Sequence, residues 1–402
     1  MTGRRPSGRR PYISMRILFI SNYFPGDLGP LARELAAAPE NEVLFASNRQ
    51  RKDFALPGVR RVRLKNAPIF GDAAPQVPGL WEETVRRGSW GLRSLTSLRE
   101  SWGAPDMIFA TLAGGAALFA PQAFPGAFLA AYAETGLKNF ALLPGDARRA
   151  WAILQSALFL QAGLCFALSE RQRRLFPTPI RESLRLAEPC VDTELFSRAA
   201  ASPWFEGDEA PADAPLLTLD ATGLDGAPLA ALLRLAHIAL RALPACHAVM
   251  LTENSRLREA LEAAANTWAD GCPPRFAAHT SLPFWRYRDL LAASTLVVCP
   301  GQGDAAERAM LEAMSCEALL MARPEAANFL RPGVNMLEFP ANDAPAAVLA
   351  ALEARPRGGE PAPQARMARR NVLAHFSEAV VAPRHLACVM RAYAAWKKER
   401  GA

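Results

Sequence analysis

The chain has 402 residues, 50% of them hydrophobic and 21% charged, with a formal net charge of +7. Such a length favours two or three domains, each large enough for its own core, and the composition is that of a globular protein. The excess of positive charge is modest for the length and is not concentrated in one run, which argues against a nucleic-acid-binding protein.

The seven cysteines lie apart, without a CxxC pair, and the five histidines form no HxxxH pair. Neither a disulfide framework nor a metal site is expected, and a reducing, cytoplasmic setting is. Residues 1–14 carry arginines among Gly and Pro but no apolar stretch. They read as a disordered basic tail, or as a start misplaced ahead of Met15, and not as a signal peptide.

In chain order, Met15–Ile20 is a short apolar strand, followed by a loop containing Phe24-Pro-Gly26 and a helix over 30–37 with Pro30 in its first turn. Strands follow at Val43–Ala46 and Val59–Leu64. Residues 65–100, with Pro75, Pro78 and Trp81, read as irregular: either a lid or a helix bearing Arg86 and Arg87. Pro105–Ala110 is a strand, Gly114-Gly115 opens the next helix, and Ala127–Tyr132 is strand-like. Ala150–Ser169 contains no charged residue, yet Gly163 divides it into a helix and the compact strand Leu164–Leu168. Helix plus strand therefore fits better than a membrane span.

Residues 198–215, with Pro203, Gly207, Pro211 and Pro215, read as an interdomain linker between domains at 15–197 and 216–370. The second domain repeats the rhythm. Its strands are expected at 216–219, 247–251, 296–299 and 318–322, and its helices at 227–243, 256–268 and 345–354. A helical segment closes the chain at 371–402, with a break near Pro383. One stretch in this domain stands out. The strand ending at Cys299 turns through Gly301-Gln302-Gly303 into a helix for which Asp304 is the expected N-cap, with Glu307 three residues on. Glu312 lies further along the same helix. A turn leading into a helix N-terminus at the end of a parallel strand suits anion binding.

Asp304-x7-Glu312-Ala-Met-Ser315-Cys316-Glu317 resembles the carboxylate signature of family 4 glycosyltransferases. That family has Glu for Asp304, Ala for Ser315 and Gly for Glu317. The N-terminal half resembles one subgroup of the family through Phe24-Pro-Gly26, Tyr132-Ala-Glu134, Ser169-Glu-Arg-Gln172 and Val191-Asp-Thr-Glu-Leu-Phe196. Further on, Pro332–Pro340 matches a family turn, with Met336 in place of a Gly. The chain also departs from the pattern. Thr111 stands where the subgroup has His, and Ala113-Gly-Gly115-Ala116 replaces Gly-Trp-Gly-Glu. Asp220–Gly226 lacks the Arg and Lys that bind the donor diphosphate in the family.

The resemblance implies an α/β protein of the GT-B fold: two Rossmann-like domains with a C-terminal helix crossing back to the first. It implies a retaining, metal-independent hexosyltransferase that uses a nucleotide sugar as substrate and no cofactor. Its acceptor would be a glycan or lipid-linked molecule of the cell envelope or a polysaccharide, and its place the cytoplasm, with a peripheral contact at the inner membrane face. Asp304 and Glu134 are the implied catalytic carboxylates. Glu312 would hold the ribose, Gln302, Gly303, Ala305 and Ala306 the phosphates by their backbone, and Gly223 would sit beside them. Arg308 or Arg323 would stand in for the missing cations. Phe24, Gly26, Thr111 and Gly114 would line the acceptor side. The replacements support a second expectation: a catalytically inactive pseudoenzyme of the same fold, acting as a binding or assembly subunit. A nucleotide-sugar epimerase of this fold is a third.

Overall fold

The structure, a computed structural model, describes residues 14–51, 53–64, 77–134, 145–200, 214–224, 226–252, 255–268, 275–280, 282–340, 342–354 and 360–401. The basic tail to residue 13, the Pro-containing stretch 65–76, linker residues 201–213 and Asp225 lie outside the described residues.

The chain divides into two compact units. The first opens with β1 (Arg16–Phe24), α1 (Gly29–Ala36), β2 (Glu42–Gln50) and β3 (Val59–Arg63). Then come α2 (Val77–Trp102), β4 (Met107–Ala110), α3 (Ala120–Ala123) and β5 (Phe128–Tyr132). It continues with α4 (Gly145–Phe159), β6 (Leu164–Ala167), α5 (Glu170–Arg173), α6 (Thr178–Ser183) and β7 (Leu184–Leu186). The second unit, Glu188–Val381, carries β8 (Leu216–Asp220), α7 (Gly226–Ala242), β9 (His247–Leu251), α8 (Ser255–Ala265) and β10 (Phe276–His279). After these lie α9 (Phe284–Ala293), β11 (Leu296–Cys299), α10 (Asp304–Ser315) and β12 (Leu319–Ala322). Last come β13 (Leu337–Glu338), α11 (Ala344–Glu353), α12 (Pro363–His375) and α13 (Glu378–Glu399). From Ala382 onward, α13 belongs to the first unit.

Both sheets are parallel throughout, in the orders β3-β2-β1-β4-β5-β6-β7 and β10-β9-β8-β11-β12-β13. Parallel strands covered on both faces read as unbroken apolar runs, which is why Ile17–Ile20 and Leu296–Cys299 are buried at every position. In each sheet the strand order reverses beside the first strand, between β1 and β4 and between β8 and β11. Loops leaving the carboxyl ends at such points diverge and open a crevice.

The first sheet is stiffened by aromatic rings in register. Phe19 pairs with Phe45 and Phe109, and its ring stacks on theirs at 5.5 and 4.7 Å. Tyr132 stacks on Phe166 at 4.9 Å. Each such pair adds about 0.5–1.5 kcal/mol to the burial of its rings. The last helix covers this layer. Its Tyr393 and Trp396 meet Phe128 edge-on at 5.7 and 5.6 Å, and Tyr132 Oη lies 2.8 Å from His385 Nε2. Burial lowers the His385 pKa to about 4, so the ring there is a neutral partner.

One expectation is resolved and two need correction. Of the two alternatives for the irregular stretch 65–100, the helix bearing Arg86 and Arg87 is the one that forms, as a single element over 77–102, and its Gly88 and Gly91 sit where it presses on a loop. A Cβ at Gly91 would lie 2.0 Å from Ala116 O, and one at Gly88 would lie 2.9 Å from the Phe119 ring. The boundary between units falls after Ala187, not after Ser197, because Val191 and Phe196 are buried in the second unit's core and Val191 pairs with Ser377. That pairing also sets the break in the C-terminal helices at Phe376–Ser377, and Pro383 lies inside α13.

Candidate functional site

In the second unit, β8 ends on Asp220 and its neighbour β11 on Cys299. The two following loops run side by side, and a Cβ on Gly301 would stand 3.4 Å from Thr222 O. Gly223, at φ 71°, turns the first loop. The second enters α10 through Gly303, whose φ of 110° and ψ of 177° no ordinary side chain adopts with ease. Gly303, not Asp304, is therefore the N-cap, and Asp304 and Glu307 lie in the first turn, where the helix dipole favours negative charge. Gln302 and Ala305 are exposed, and Ala306 is buried.

Glu312, two turns along α10, is 6% exposed. Arg308 Nε donates to its Oε1 at 3.1 Å from one turn earlier, and Tyr287 of α9 also hydrogen-bonds the carboxylate. Burial raises the Glu312 pKa, while Arg308 and Tyr287 pull it down and nearby Asp220 pushes it up. Asp220 is itself 5% exposed. Its Oδ1 accepts from the Thr222 amide at 2.9 Å and its Oδ2 from Cys299 Sγ at 3.4 Å. Burial raises its pKa too, against those hydrogen bonds. The Cys299 thiol is pushed well up by burial and by Asp220, so it is a hydrogen-bond donor and no thiolate nucleophile. Arg323, expected as a substitute cation, is exposed just past β12.

The far end of α10 explains two departures from the family pattern. Ser315 is fully buried and donates from Oγ to Phe196 O at 2.5 Å. Arg369 of α12 clamps the same place, donating to Phe196 O at 2.9 Å, Ser315 Oγ at 3.0 Å, Thr193 O at 3.2 Å and the Ser315 carbonyl. Asp192-Thr-Glu-Leu-Phe196 is thus a seam that anchors the ligand helix. Glu317 occupies the left-handed position after the helix, at φ 59°. Its amide donates to Met314 O at 3.2 Å and that of Ala318 to Ala313 O at 3.1 Å, the paired bonds of a Schellman turn. A left-handed non-glycine residue costs about 1–2 kcal/mol. Glu317→Gly should therefore stabilise the second unit by about 1 kcal/mol, raising its melting temperature by about 2–4 °C. A melt unchanged or lowered would refute this account of the turn.

In the first unit, the loop after β4 carries consecutive left-handed residues: Ala113 (φ 52°), Gly114 (φ 64°) and Gly115 (φ 109°). Amides in such a run converge on an anion. Here that anion is Glu134, at the end of β5. Ala113 N–H donates to Oε2 at 2.8 Å and Gly114 N–H to Oε1 at 3.0 Å, and Thr111 adds a side-chain bond. Gln155 Oε1 accepts from the Glu134 amide at 2.7 Å, and Asn48 Nδ2 donates to Ala113 O at 2.9 Å. Glu134 is buried with both oxygens engaged, so it latches this loop. Phe24 changes role. It is 1% exposed and packs edge-on against Phe45 at 5.1 Å, with the Arg61 guanidinium over its ring at 5.1 Å, as part of the core. Gly26, at φ 51°, makes the turn behind it. Thr111 and Gly114 are buried within the latched loop.

The structure thus brings Glu312, Arg308, Gly223 and the 301–306 turn together in one unit, and Thr111, Gly114 and Glu134 in the other. Sequence reasoning did not single out Tyr287, Asn48 or Gln155, which are placed by packing and carry no motif. The pair of half-buried Glu83 Oε1 and buried Arg87 Nε at 2.6 Å, behind the latched loop, is detectable from its i,i+4 spacing.

Residues 39–138 match the family model described as glycosyl transferase family 4 group. The chain resembles family 4 glycosyltransferases. Solved structures agree on a GT-B fold. Sucrose-phosphate synthase from Thermosynechococcus elongatus superposes with a TM-score of 0.66 at 16% identity, covering 95% of this chain and 100% of that one. HepE from Anabaena, solved with UDP and glucose, gives 0.63 at 14%, covering 94% and 100%. A putative UDP-N-acetylglucosamine 2-epimerase from Listeria monocytogenes gives 0.58 at 14%, covering 94% and 96%, so the GT-B fold spans more than one chemistry. No curated protein sequence matches the chain. Among the described residues, no helix is long and apolar enough to cross a membrane.

Proposed function

We propose that the chain is a retaining, metal-independent hexosyltransferase of the cytoplasm that moves a sugar from a nucleotide diphosphate to a cell-envelope or polysaccharide acceptor. The observation that carries this reading is Glu312. It is a buried carboxylate held by Arg308 and Tyr287, on the helix that follows a Gly-turned loop at the strand-order reversal. A carboxylate so fixed can accept hydrogen bonds from the two ribose hydroxyls. The amides of the 303–306 turn are assigned to the donor diphosphate, because amides at a helix N-terminus suit an anion, and Arg308 supplies the nearest cation on α10. Asp304, in the first turn, is assigned to the hydroxyls of the transferred sugar. In such a transfer the protein chiefly positions the donor and stabilises developing charge.

The test is a thermal-shift titration with UDP, GDP and their sugar conjugates, with and without magnesium. A ligand at a hundred times its Kd should stabilise the protein by about 2.7 kcal/mol. Loss of that shift in Glu312→Ala, with an unaltered melt in the absence of nucleotide, would support the reading. No response to any nucleotide at millimolar concentration would defeat it. The pseudoenzyme reading would then lead, and two observations favour it: Asp220 puts a buried carboxyl beside the turn, and Glu134 is locked into its own loop.

A further inference from the structure

Asp220 is the residue that the proposed function does not use and has to accommodate. It ends the central strand of the second sheet, next to the glycine turn, where the family resemblance leads one to expect cations to follow. Its carboxyl is buried, and described groups from four elements face it. Thr222 is on its own loop, Cys299 on β11, Tyr287 on α9, and Glu312 with its partner Arg308 on α10. Among the described residues, two buried carboxyls thus feel one another's charge, and the Arg308 guanidinium already donates to one of them, Glu312, at 3.1 Å. Like charges in a shared, desolvated place cannot both be ionised cheaply. A diphosphate brought to the same loops would add more negative charge.

We propose that Asp220 is a specificity-determining residue of this crevice: together with Glu312 it makes capture of a nucleoside diphosphate depend on neutralising the carboxyl pair, so that binding takes up a proton from solvent. The inference rests on the nucleotide-sugar reading above. It differs from a merely structural role for Asp220, which would leave affinity and its pH dependence alone. Burial raises both carboxyl pKa values, the direction that favours uptake of that proton. The sign follows. The anion favours the protonated pair, so affinity falls as pH rises, and one linked proton corresponds to at most about a tenfold change in Kd per pH unit.

The experiment is calorimetric titration with UDP-glucose and GDP-mannose between about pH 6 and about pH 8, in two buffers of different ionisation enthalpy. The sugar diphosphates are chosen because their diphosphate, unlike that of free UDP, has no terminal phosphate titrating near neutrality. Wild type is expected to lose affinity across this range and to show a buffer-dependent heat. Asp220→Asn, which keeps the acceptor for the Thr222 amide, should bind about tenfold tighter at the alkaline end with a flattened pH profile. Asp220→Ser provides a second neutral side chain should the first variant fold poorly. Equal or weaker binding by folded neutral variants, with the pH slope of wild type retained, would overturn the proposal and leave the nucleotide-sugar reading standing. Failure of wild type and variants alike to bind either donor at any pH would overturn both.

Discussion

Gly115→Ala is expected to destabilise the first unit by about 3 kcal/mol, the sum of two separate costs. At φ 109° an alanine is strained whatever surrounds it, and such a residue costs about 1–3 kcal/mol. Its Cβ would also stand 2.5 Å from Thr84 O and 3.1 Å from Arg87 Cβ, so α2 would have to move off the loop, at about 1–3 kcal/mol. Gly114→Ala is the control. Its φ is 64°, and its Cβ would meet only the end of the Arg87 side chain, Nη1 at 3.1 Å, so a cost nearer 1 kcal/mol is expected. Hydrogen exchange at β4 and β5 measures both within the unit concerned. Equal protection loss in the two variants would show that the close packing of α2 on the loop is not what Gly115 serves.

Arg369→Ala is expected to cost the second unit about 3 kcal/mol. The guanidinium donates to acceptors on two otherwise separate segments, Thr193 and Phe196 on one and Ser315 on the other. Deleting it strands buried carbonyls, at about 1–3 kcal/mol for each one that water does not reach. Arg369→Lys should recover less than half of the loss, because an ammonium cannot span the fork. The readout is exchange at the 191–197 segment and the last turn of α10, combined with nucleotide affinity. The seam lies one turn from Glu312, so loosening it should weaken binding as well as stability. A variant with wild-type protection at both segments would refute the clamp.

Much of this architecture is legible from the residues, and the reasons are specific. Leu296–Cys299, the Gly301-Gln-Gly303 turn and the helix after it are read correctly because local pattern and tertiary role agree there: an apolar strand, a glycine at φ 110°, acids in a first turn. The spacing of Asp304 and Glu312 likewise fixes them about 12 Å apart along one helix, whatever the rest does. What local pattern could not convey is which polar groups end up inside. Glu134 reads as a catalytic carboxylate, and only the left-handed loop at 113–115, supplied by another strand, shows that its oxygens are already occupied. Gly88 and Gly91 argue against a helix by propensity, and the close approach of Ala116 and Phe119 overrides it. Asp220 reads as a loop acid and is a buried one because β8 lies between β9 and β11.

The route of α13 has a consequence for synthesis. Among the described residues the second unit is one continuous run of chain, Glu188–Val381, whereas the first is assembled from pieces on either side of it. Val389 is fully buried in the first unit's core, with Leu386, Tyr393 and Trp396 packed against that core. None of these residues exists until the ribosome has translated the whole of the second unit. The aromatic layer of Phe19, Phe109 and Tyr132, translated first, is therefore completed last, and the second unit is the one that can close as it emerges.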